Sequence, residues 1–219
     1  MLRSLIVVWF QMCFVIFTFE KGNGETLLRK PQPLSISNTF DPSIHSIYDA
    51  VDAWFDDPIS AESTYGYISN WTTSGIRDMS GLFCNRNSFN ENINNWDVSS
   101  VTNMGAMFSS ASSFNQPLNS WDVSSVTNIE AMFTGASSFN QPLHSWDVSR
   151  VIDMEEMFAG ASSFNQPLNS WDVSSVTTMS HMFVYSSSFN QPLNSWDVSS
   201  VTDMGEMFND AWSFNQPLD

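Results

Sequence analysis

Basic residues are scarce in this chain. Lysine and arginine together number 7, against 23 aspartate and glutamate residues, and the formal net charge is −16. No lysine follows Lys30. Proteins that bind nucleic acid or an anionic membrane surface need a basic patch to meet the phosphate groups. We therefore expect neither of these as a partner.

Cysteine and histidine are also rare, and their positions exclude most kinds of catalytic or metal site. The two cysteines, Cys13 and Cys84, are too few for a disulfide framework or a zinc-binding set of ligands. The three histidines, His45, His144 and His181, occur at unrelated positions, so no catalytic triad is indicated. The sequence predicts a protein that is not an enzyme and has no cofactor. Cys84 is expected to be a free, partly buried thiol, with an intermolecular disulfide as the alternative.

The chain has instead a repeat of 25 residues. The segment 114–126 (FNQPLNSWDVSSV) returns almost unchanged along the chain, and its tryptophan recurs at a fixed spacing. The tryptophans at this spacing are Trp71, Trp96, Trp121, Trp146, Trp171 and Trp196. A fixed period of this length is typical of arrays in which each unit packs only on its neighbours.

The start of the chain reads as a secretion signal followed by a leader. Residues 1–24 contain an apolar run after Arg3 and a small-residue pattern that ends at Gly24, as in a cleaved signal peptide. An uncleaved membrane anchor is the alternative. Residues 25–42 are polar, contain prolines and are predicted to be a leader. Both interpretations of the first segment predict a secreted or cell-surface protein.

Residues 43–70 are predicted to cap the repeats. The spacing of the apolar residues in 43–57 predicts an amphipathic helix, with Ser43 or Ser46 as its N-cap. Residues 64–70 align with residues 89–95 and read as a modified repeat. A stacked array needs such a unit to cover its open end.

The first half of each following unit has a helical pattern. Val101, Met104, Met107 and Phe108 are spaced as on one face of a helix. This spacing predicts a short helix or 3-10 turn over residues 102–110.

The second half of each unit, residues 114–121 in one copy, reads as an extended segment. Pro117 removes one backbone donor, so the predicted strand is short. One short strand and one short helix or 3-10 turn per unit predict an α/β repeat fold for residues 71–219. We expect a right-handed leucine-rich-repeat-like solenoid of six 25-residue coils, with an N-terminal capping helix.

The sixth unit stops at Asp219, directly after its extended segment. Such an end leaves backbone groups unpaired and invites pairing with another chain. We expect either a homodimer through this C-terminal end or a truncated member of a longer family.

The repeat pattern resembles a known family. The pattern Ser-Phe-Asn-Gln-Pro-Leu-x-x-Trp-Asp-Val-Ser-x-Val-Thr-x-Met-x-x-Met-Phe, present across residues 65–219, is similar to that of the BspA-like leucine-rich-repeat surface proteins. Within them it resembles the 25-residue repeats once described as a mycoplasma domain of unknown function, which are also abundant in microalgae. The resemblance implies a surface-displayed solenoid used in adhesion or partner binding, and it brings no catalytic residues. The first unit departs from the pattern, as a boundary repeat would, with Glu91 where the others have glutamine.

Equivalent positions of successive units form columns, and an aspartate column is the first candidate site. Its members are Asp97, Asp122, Asp147, Asp172 and Asp197. Carboxylates stacked about 4.8 Å apart would repel one another, so each needs stabilisation. Either the following serines donate hydrogen bonds to each carboxylate as a turn cap, or the column binds hard cations such as Ca²⁺.

The other columns are interpreted as structural. Phenylalanine and methionine columns are expected to form the core. The tryptophan column is also assigned to the core, with an exposed sugar-stacking stripe as the alternative. The asparagine column that contains Asn115 is expected to form a ladder of amides that satisfies turn backbone groups.

The second candidate site is the part of each unit that varies. Residues 103–112 and their equivalents differ between copies, whereas residues 114–125 are nearly constant. A specific partner is therefore expected to contact the variable residues. The predicted partner-binding residues are Glu130, Glu155, Glu156, His181, Tyr185 and Glu206. Separately, Asn70 lies in the only N-x-Ser/Thr sequon and is a candidate for glycosylation in a secreting eukaryote.

Three functions are consistent with these patterns. The first is an extracellular scaffold for adhesion or for binding of a protein or polysaccharide. The second is a structural surface-layer component organised by cations along the aspartate column. The third, ice or crystal binding through serine and threonine columns, is less favoured because flat Thr-x-Thr rows are absent.

Overall fold

A computed structural model describes residues 39–218, so the predicted signal peptide and most of the predicted leader lie outside the described residues. Two α-helices and one 3-10 helix begin this part: α1 (Ile47–Asp56), α2 (Pro58–Tyr65) and the 3-10 helix Ile68–Asn70. Residues 39–218 contain no further helix and no β-strand. None of the helices in this range is long and apolar enough to cross a bilayer.

Helix α1 lies within the range that its apolar spacing predicts. Ser46 is its N-cap, and the Ser46 side chain accepts a hydrogen bond from the Asp49 backbone N–H. The buried face of the helix carries Ile47, Val51 and Trp54. Asp57 then ends α1 and caps the N-terminus of α2, whose first residue is a proline.

The residues before Trp71 make hydrogen bonds with the first repeat units that a preceding unit makes elsewhere in the stack. The Tyr48 hydroxyl donates a hydrogen bond to the Ser80 carbonyl at 3.1 Å, at a position where later units accept a backbone N–H from the unit before. The Ile68 carbonyl accepts the indole N–H of Trp96 at 2.9 Å, as the Ile93 carbonyl does for the next tryptophan. Residues before Trp71 therefore supply groups that a preceding unit would otherwise supply.

The six units stack through their backbones in residues 79–85 and the equivalent segments. Every second N–H in this segment donates to a carbonyl of the following unit, at 2.8–3.0 Å in the first unit. The N–H groups between them close tight turns within the unit, such as Leu82 to Met79 at 3.3 Å. Adjacent units share one isolated parallel bridge each. These bridges are Asp78 with Asn103, Asn103 with Asn128, Asn128 with Asp153, Asp153 with Thr178, and Thr178 with Asp203.

The predicted short helix or 3-10 turn over residues 102–110 is wrong. Ala106 and Ser110 take positive φ values of 53° and 59°, and each unit has two such residues at these positions. A left-handed residue interrupts a right-handed helix, so the chain makes consecutive turns instead. The Met107 N–H bonds to the Met104 carbonyl, three residues back, at 3.2 Å. Consecutive tight turns thus produce the same apolar spacing as a helix.

The predicted strand over residues 114–121 is also wrong, and with it the α/β leucine-rich-repeat solenoid. Side chains take over the bonding between units in this segment. The Asn140 N–H donates to the Asn115 side-chain oxygen at 3.0 Å, and the Gln141 side chain donates to the Asn115 carbonyl at 3.0 Å. Since the next residue is a proline without an N–H, no backbone ladder forms here. The fold is a stack of six turn-based units behind a helical cap.

Aromatic columns fill the core of the stack, as predicted. Within one unit the rings of Phe133 and Phe139 stack with centroids 4.0 Å apart, and Phe133 lies 5.7 Å from Phe158 of the next unit. The Trp146 ring is 4% exposed, and its indole N–H donates to the Leu118 carbonyl at 3.1 Å. Burial of this column assigns it to the core and not to a sugar-stacking surface.

The sixth unit presents an open face at the end of the described chain. Val198, Met204 and Leu218 are 40%, 40% and 63% exposed, whereas the equivalent residues of the interior units are buried. In those units the following unit covers them. That a second copy covers this face, as in the expected homodimer, stays a prediction.

We expect the asparagine ladder to stabilise the stack measurably. The Asn140 side-chain oxygen accepts bonds from the Asn165 N–H and the Gln166 side chain, both at 3.0 Å. Asn140→Ala should therefore lower the free energy of unfolding by about 1–3 kcal/mol in urea titrations. The exposed Asn119 makes no side-chain hydrogen bond within residues 39–218. Asn119→Ala should therefore change the free energy of unfolding by less than about 0.5 kcal/mol. Equal effects of the two variants would contradict a structural role for the ladder.

Candidate functional site

The predicted partner-binding residues occupy three columns of the turn segment, which together we call the variable face. The first column contains Gly105, Glu130, Glu155, Ser180 and Gly205. The second contains Ala106, Ala131, Glu156, His181 and Glu206. The third contains Ser110, Gly135, Gly160, Tyr185 and Asp210. All six predicted residues thus fall within one repeated segment of the turns.

The backbone of the variable face holds the stack together without help from its side chains. The Ala131 N–H donates to the Glu155 carbonyl at 2.7 Å, and the His181 N–H donates to the Gly205 carbonyl at 2.8 Å. The same bond forms whether the column carries alanine, glutamate or histidine. Side chains can therefore change here without loss of the contacts between units. This explains in physical terms why the copies differ at these positions.

Every residue of the second and third columns of the variable face takes a positive φ. For a non-glycine residue the left-handed conformation costs roughly 1–2 kcal/mol. Gly135 and Gly160 avoid this cost, whereas Glu156, His181 and Tyr185 do not. Ala106 shares the conformation, so the strain belongs to the fold and not to a particular side chain. Larger side chains are nevertheless kept at strained positions in the last three units, which favours a role for them.

An acidic patch lies at the centre of the variable face. Burial, followed by the charges of Asp153, Glu155 and Glu156, raises the pKa of Glu130 above its ordinary value. Like charges raise a pKa in this way when they lie near the group, so Asp153, Glu155 and Glu156 surround Glu130 with negative charge. The patch favours a neutral or basic partner over an acidic one.

Sequence reasoning missed a column that supports this face. Asn128 accepts a bond from the Glu130 N–H at 2.8 Å, and Asp153 accepts one from the Glu155 N–H at 2.9 Å. The column consists of Asp78, Asn103, Asn128, Asp153, Thr178 and Asp203. Its signal in the sequence is an oxygen-bearing side chain two residues before the first variable position, which is typical of Asx-type turns.

Ser180, His181 and Glu206 are in contact but do not form an open catalytic site. The Ser180 hydroxyl lies 2.7 Å from His181 Nδ1, and His181 Nε2 lies 3.6 Å from Glu206 Oε2. Ser180 is only 5% exposed, so its hydroxyl is closed to a substrate. That the protein is not an enzyme stays a prediction.

The aspartate column has the geometry of the turn-cap alternative. Each carboxylate accepts the N–H of the serine two residues later at 3.0–3.1 Å, and Asp97, Asp122 and Asp172 also accept the serine hydroxyl. Hydrogen bonds from the serine side chain, then from its N–H, lower the pKa of Asp97, Asp122 and Asp172 below its ordinary value near 3.8. Hydrogen bonding by Ser199 lowers the pKa of Asp197 as well.

Cation binding by the aspartate column stays a prediction. Within residues 39–218, no group of three or more histidine, cysteine, aspartate or glutamate side chains is placed to hold a metal ion. A column site would have to share carboxylates between neighbouring units.

Two further candidates are placed by the structure. Asn70 is exposed at the end of the 3-10 helix, and Thr72 of its sequon is exposed as well. Its glycosylation stays a prediction. Cys84 is a free, half-buried thiol whose sulfur accepts a hydrogen bond from the Asn85 side chain at 3.3 Å. An intermolecular disulfide stays the untested alternative.

Among known protein families, one family model matches this chain. A family model described as "Mycoplasma protein of unknown function, DUF285" matches residues 51–165 and 142–219. The two matches overlap, as expected for a repeated sequence. A search of curated proteins and a search of solved structures each gave no match. The predicted link to the mycoplasma repeats is confirmed, and the BspA-like name goes further than this match.

We expect acid to weaken the stack through the aspartate column. The pKa of these carboxyl groups is lower in the folded chain, so their contribution is present above about pH 4 and is lost as the pH falls through the folded values. The variant with asparagine at positions 97, 122, 172 and 197 keeps a side-chain acceptor but does not titrate. Its urea midpoint should therefore fall less between about pH 5 and pH 2 than that of the unmodified chain.

Asp210→Asn provides the control for this pH measurement. Asp210 is exposed and makes no side-chain hydrogen bond in the part of the chain that the structure describes. Its substitution should leave the acid sensitivity unchanged. An equal fall for the fourfold variant and the unmodified chain would show that the column does not cause the acid sensitivity.

Proposed function

We propose that this chain, which belongs to the family described as "Mycoplasma protein of unknown function, DUF285", is a non-catalytic binding scaffold that acts outside the cytosol. The proposed partner is an extracellular protein or polysaccharide. The proposed contact is the variable face, with Glu130, Glu155, Glu156, Tyr185 and Glu206 at its centre.

The observation that carries this proposal is the separation of constant and variable residues. Constant residues fill the core columns or bond one unit to the next, as Trp146 and Asn140 do. Variable residues lie on a backbone that bonds in the same way whatever the side chain is. Such a scaffold can present different surfaces on one stable framework, which is a common property of repeat proteins that bind partners.

The chemistry of the variable face restricts the kinds of partner that it can bind. The acidic patch around Glu130 favours a neutral or basic surface. Tyr185 is 59% exposed and offers an aromatic ring with a hydroxyl at its edge. Tyrosine is enriched among residues that contribute strongly to binding. We infer that the partner places a basic or hydroxyl-rich group against Glu156 and Tyr185.

The proposed location has two supports, both from the sequence. The first is the predicted signal peptide in residues 1–24. The second is the resemblance of the repeat pattern to the BspA-like surface proteins. Retention of the segment as a membrane anchor would still display the repeats on the cell surface.

Column swaps test the variable face while preserving the fold. Each substitution introduces a residue that another unit already has in the same column: Glu130→Gly, Glu156→Ala, His181→Ala, Tyr185→Gly and Glu206→Ala. We expect the combined variant to lose at least about tenfold in affinity for whichever protein or polysaccharide the unmodified chain captures on an extracellular-matrix and glycan array. The melting temperature should not fall, because these residues are not needed between units.

The control for the column swap changes the constant surface in the same manner. Asn119→His, Asn169→His and Asn194→His copy the residue His144 from the equivalent position of another unit, and all three sites are exposed. This variant should bind as the unmodified chain does. The proposal fails if the control loses binding while the column swap retains it.

A second candidate function is a surface-layer component organised by cations. Within residues 39–218 each aspartate of the column uses only its Oδ1 atom in hydrogen bonds, so the other oxygen is available to a cation. Ice binding has no such support. The threonine column that ice binding would use contains Thr127, whose hydroxyl donates to a carbonyl of the preceding unit. Ile152 interrupts this column.

Calcium titration tests this second candidate. Millimolar Ca²⁺ should raise the melting temperature of the chain if the aspartate column binds it, because a ligand stabilises the state to which it binds. The variant with asparagine at positions 97, 122, 147, 172 and 197 should show no rise. An unmodified chain whose melting temperature responds neither to Ca²⁺ nor to a chelator would exclude cation binding by the column.

A further inference from the structure

A small cleft separates the helical cap from the first repeat unit. Its volume is about 220 Å³, and it lies between the end of α1 and residues 88–91. The half-buried Phe55 provides most of its apolar surface, whereas Trp54 and Phe89 are only 7% and 2% exposed and contribute little. Ser88, Asn90 and Glu91 line the same space with polar groups. The cleft is separate from the variable face.

The ladder of amides is broken at this cleft. In the five later units the N–H of the column asparagine donates to the asparagine side chain one unit earlier, at 2.9–3.0 Å. The residue one unit before Asn90 is Tyr65, which offers no such acceptor. The Asn90 N–H therefore makes no hydrogen bond within residues 39–218, and neither does its side-chain NH₂ group.

Glu91 adds a charged acceptor beside these free donors. It stands where later units carry a glutamine that donates back to the ladder. One oxygen of Glu91 accepts the Tyr67 hydroxyl at 2.6 Å. The other oxygen makes no hydrogen bond within residues 39–218. Free donors and a free acceptor thus belong to residues that line the same cleft as Phe55.

These groups match the chemistry of one sugar ring. A pyranose carries neighbouring hydroxyls that each donate and accept a hydrogen bond, and its C–H face is apolar. Asn90 supplies donors, Glu91 supplies an acceptor, and the exposed part of Phe55 supplies the apolar contact. The cleft is smaller than the roughly 300–1,000 Å³ of pockets for larger ligands, so it suits a single ring.

Charged ligands fit the cleft less well. The Arg86 guanidinium already lies over the Phe55 ring, 4.6 Å from its centroid, and is paired with Asp52. A ligand cation on this ring would meet a like charge. An anionic ligand would meet the Glu91 carboxylate. A neutral ligand with several hydroxyl groups avoids both conflicts.

We propose that the cleft between Trp54, Phe55 and Glu91 binds a single neutral pyranose residue of a polysaccharide. The site lies outside the repeats that carry the variable face, so it adds a second recognition point to the proposed scaffold. Its failure would leave the proposed function of the variable face intact, because the two sites share no residue.

Saturation-transfer NMR of the full chain tests this site. The probes are the methyl pyranosides of glucose, galactose and mannose, with tetramethylammonium as the competing cation. At least one pyranoside should show transfer and a saturable titration. Glu91→Gln should weaken this binding by about tenfold, since a hydrogen bond to a charged acceptor is roughly twice as strong as one to a neutral acceptor.

A matched pair of tryptophan variants locates the binding. Ser88→Trp fills the cleft and should abolish transfer, whereas Ser113→Trp places the same side chain at the equivalent exposed position one unit later and should leave it unchanged. Melting curves of both variants check the fold. The column-swap variant of the variable face should retain pyranoside binding.

Three results would overturn the proposal. The first is no transfer to any of the three pyranosides. The second is equal loss of transfer in Ser88→Trp and Ser113→Trp, and the third is binding of tetramethylammonium alone.

Discussion

The backbone bonds between successive turns are the interaction on which this structure depends. In one unit the N–H groups of Ala131, Phe133 and Gly135 donate to carbonyls of the next unit at 2.7–2.9 Å. These bonds set the distance between units, and that distance brings the aromatic rings of neighbouring units into contact. Alternate N–H groups face the next unit, as they would in a strand, whereas the N–H groups between them close turns within the unit. The two positive φ values of each unit fall in this segment of turns.

Because these bonds use only backbone groups, the side chains of the variable face are not needed to hold the units together. Glu156 and His181 have the backbone conformation and the unit-to-unit bonds of Ala106 and Ala131. The acidic patch around Glu130 can therefore exist although it opposes folding slightly, since its carboxyl groups repel one another. A repeat stack built in this way separates what stabilises the chain from what it presents to a partner.

The helical cap and the first unit depart from the repeat in a way that matters for chemistry. Tyr48 and Ile68 supply two of the groups that a preceding unit would supply, so the bonding of the stack is completed in part at this end. The asparagine ladder is not continued into the cap, because Tyr65 lacks the required acceptor. A regular array satisfies its own polar groups, and a site for an outside ligand is therefore expected where the regularity fails.

The sequence by itself determined the repeat period, the aromatic core columns, helix α1 and the positions that vary between copies. It did not determine the local structure of the units, because consecutive turns give the same apolar spacing as a helix. The residue type of Ala106 gives no sign of its positive φ. Side-chain bonds from Asn115 replaced the expected strand ladder. The tertiary structure alone brought Trp54 and Glu91 to one cleft, because only packing of the cap on the first unit joins residues so distant in the chain.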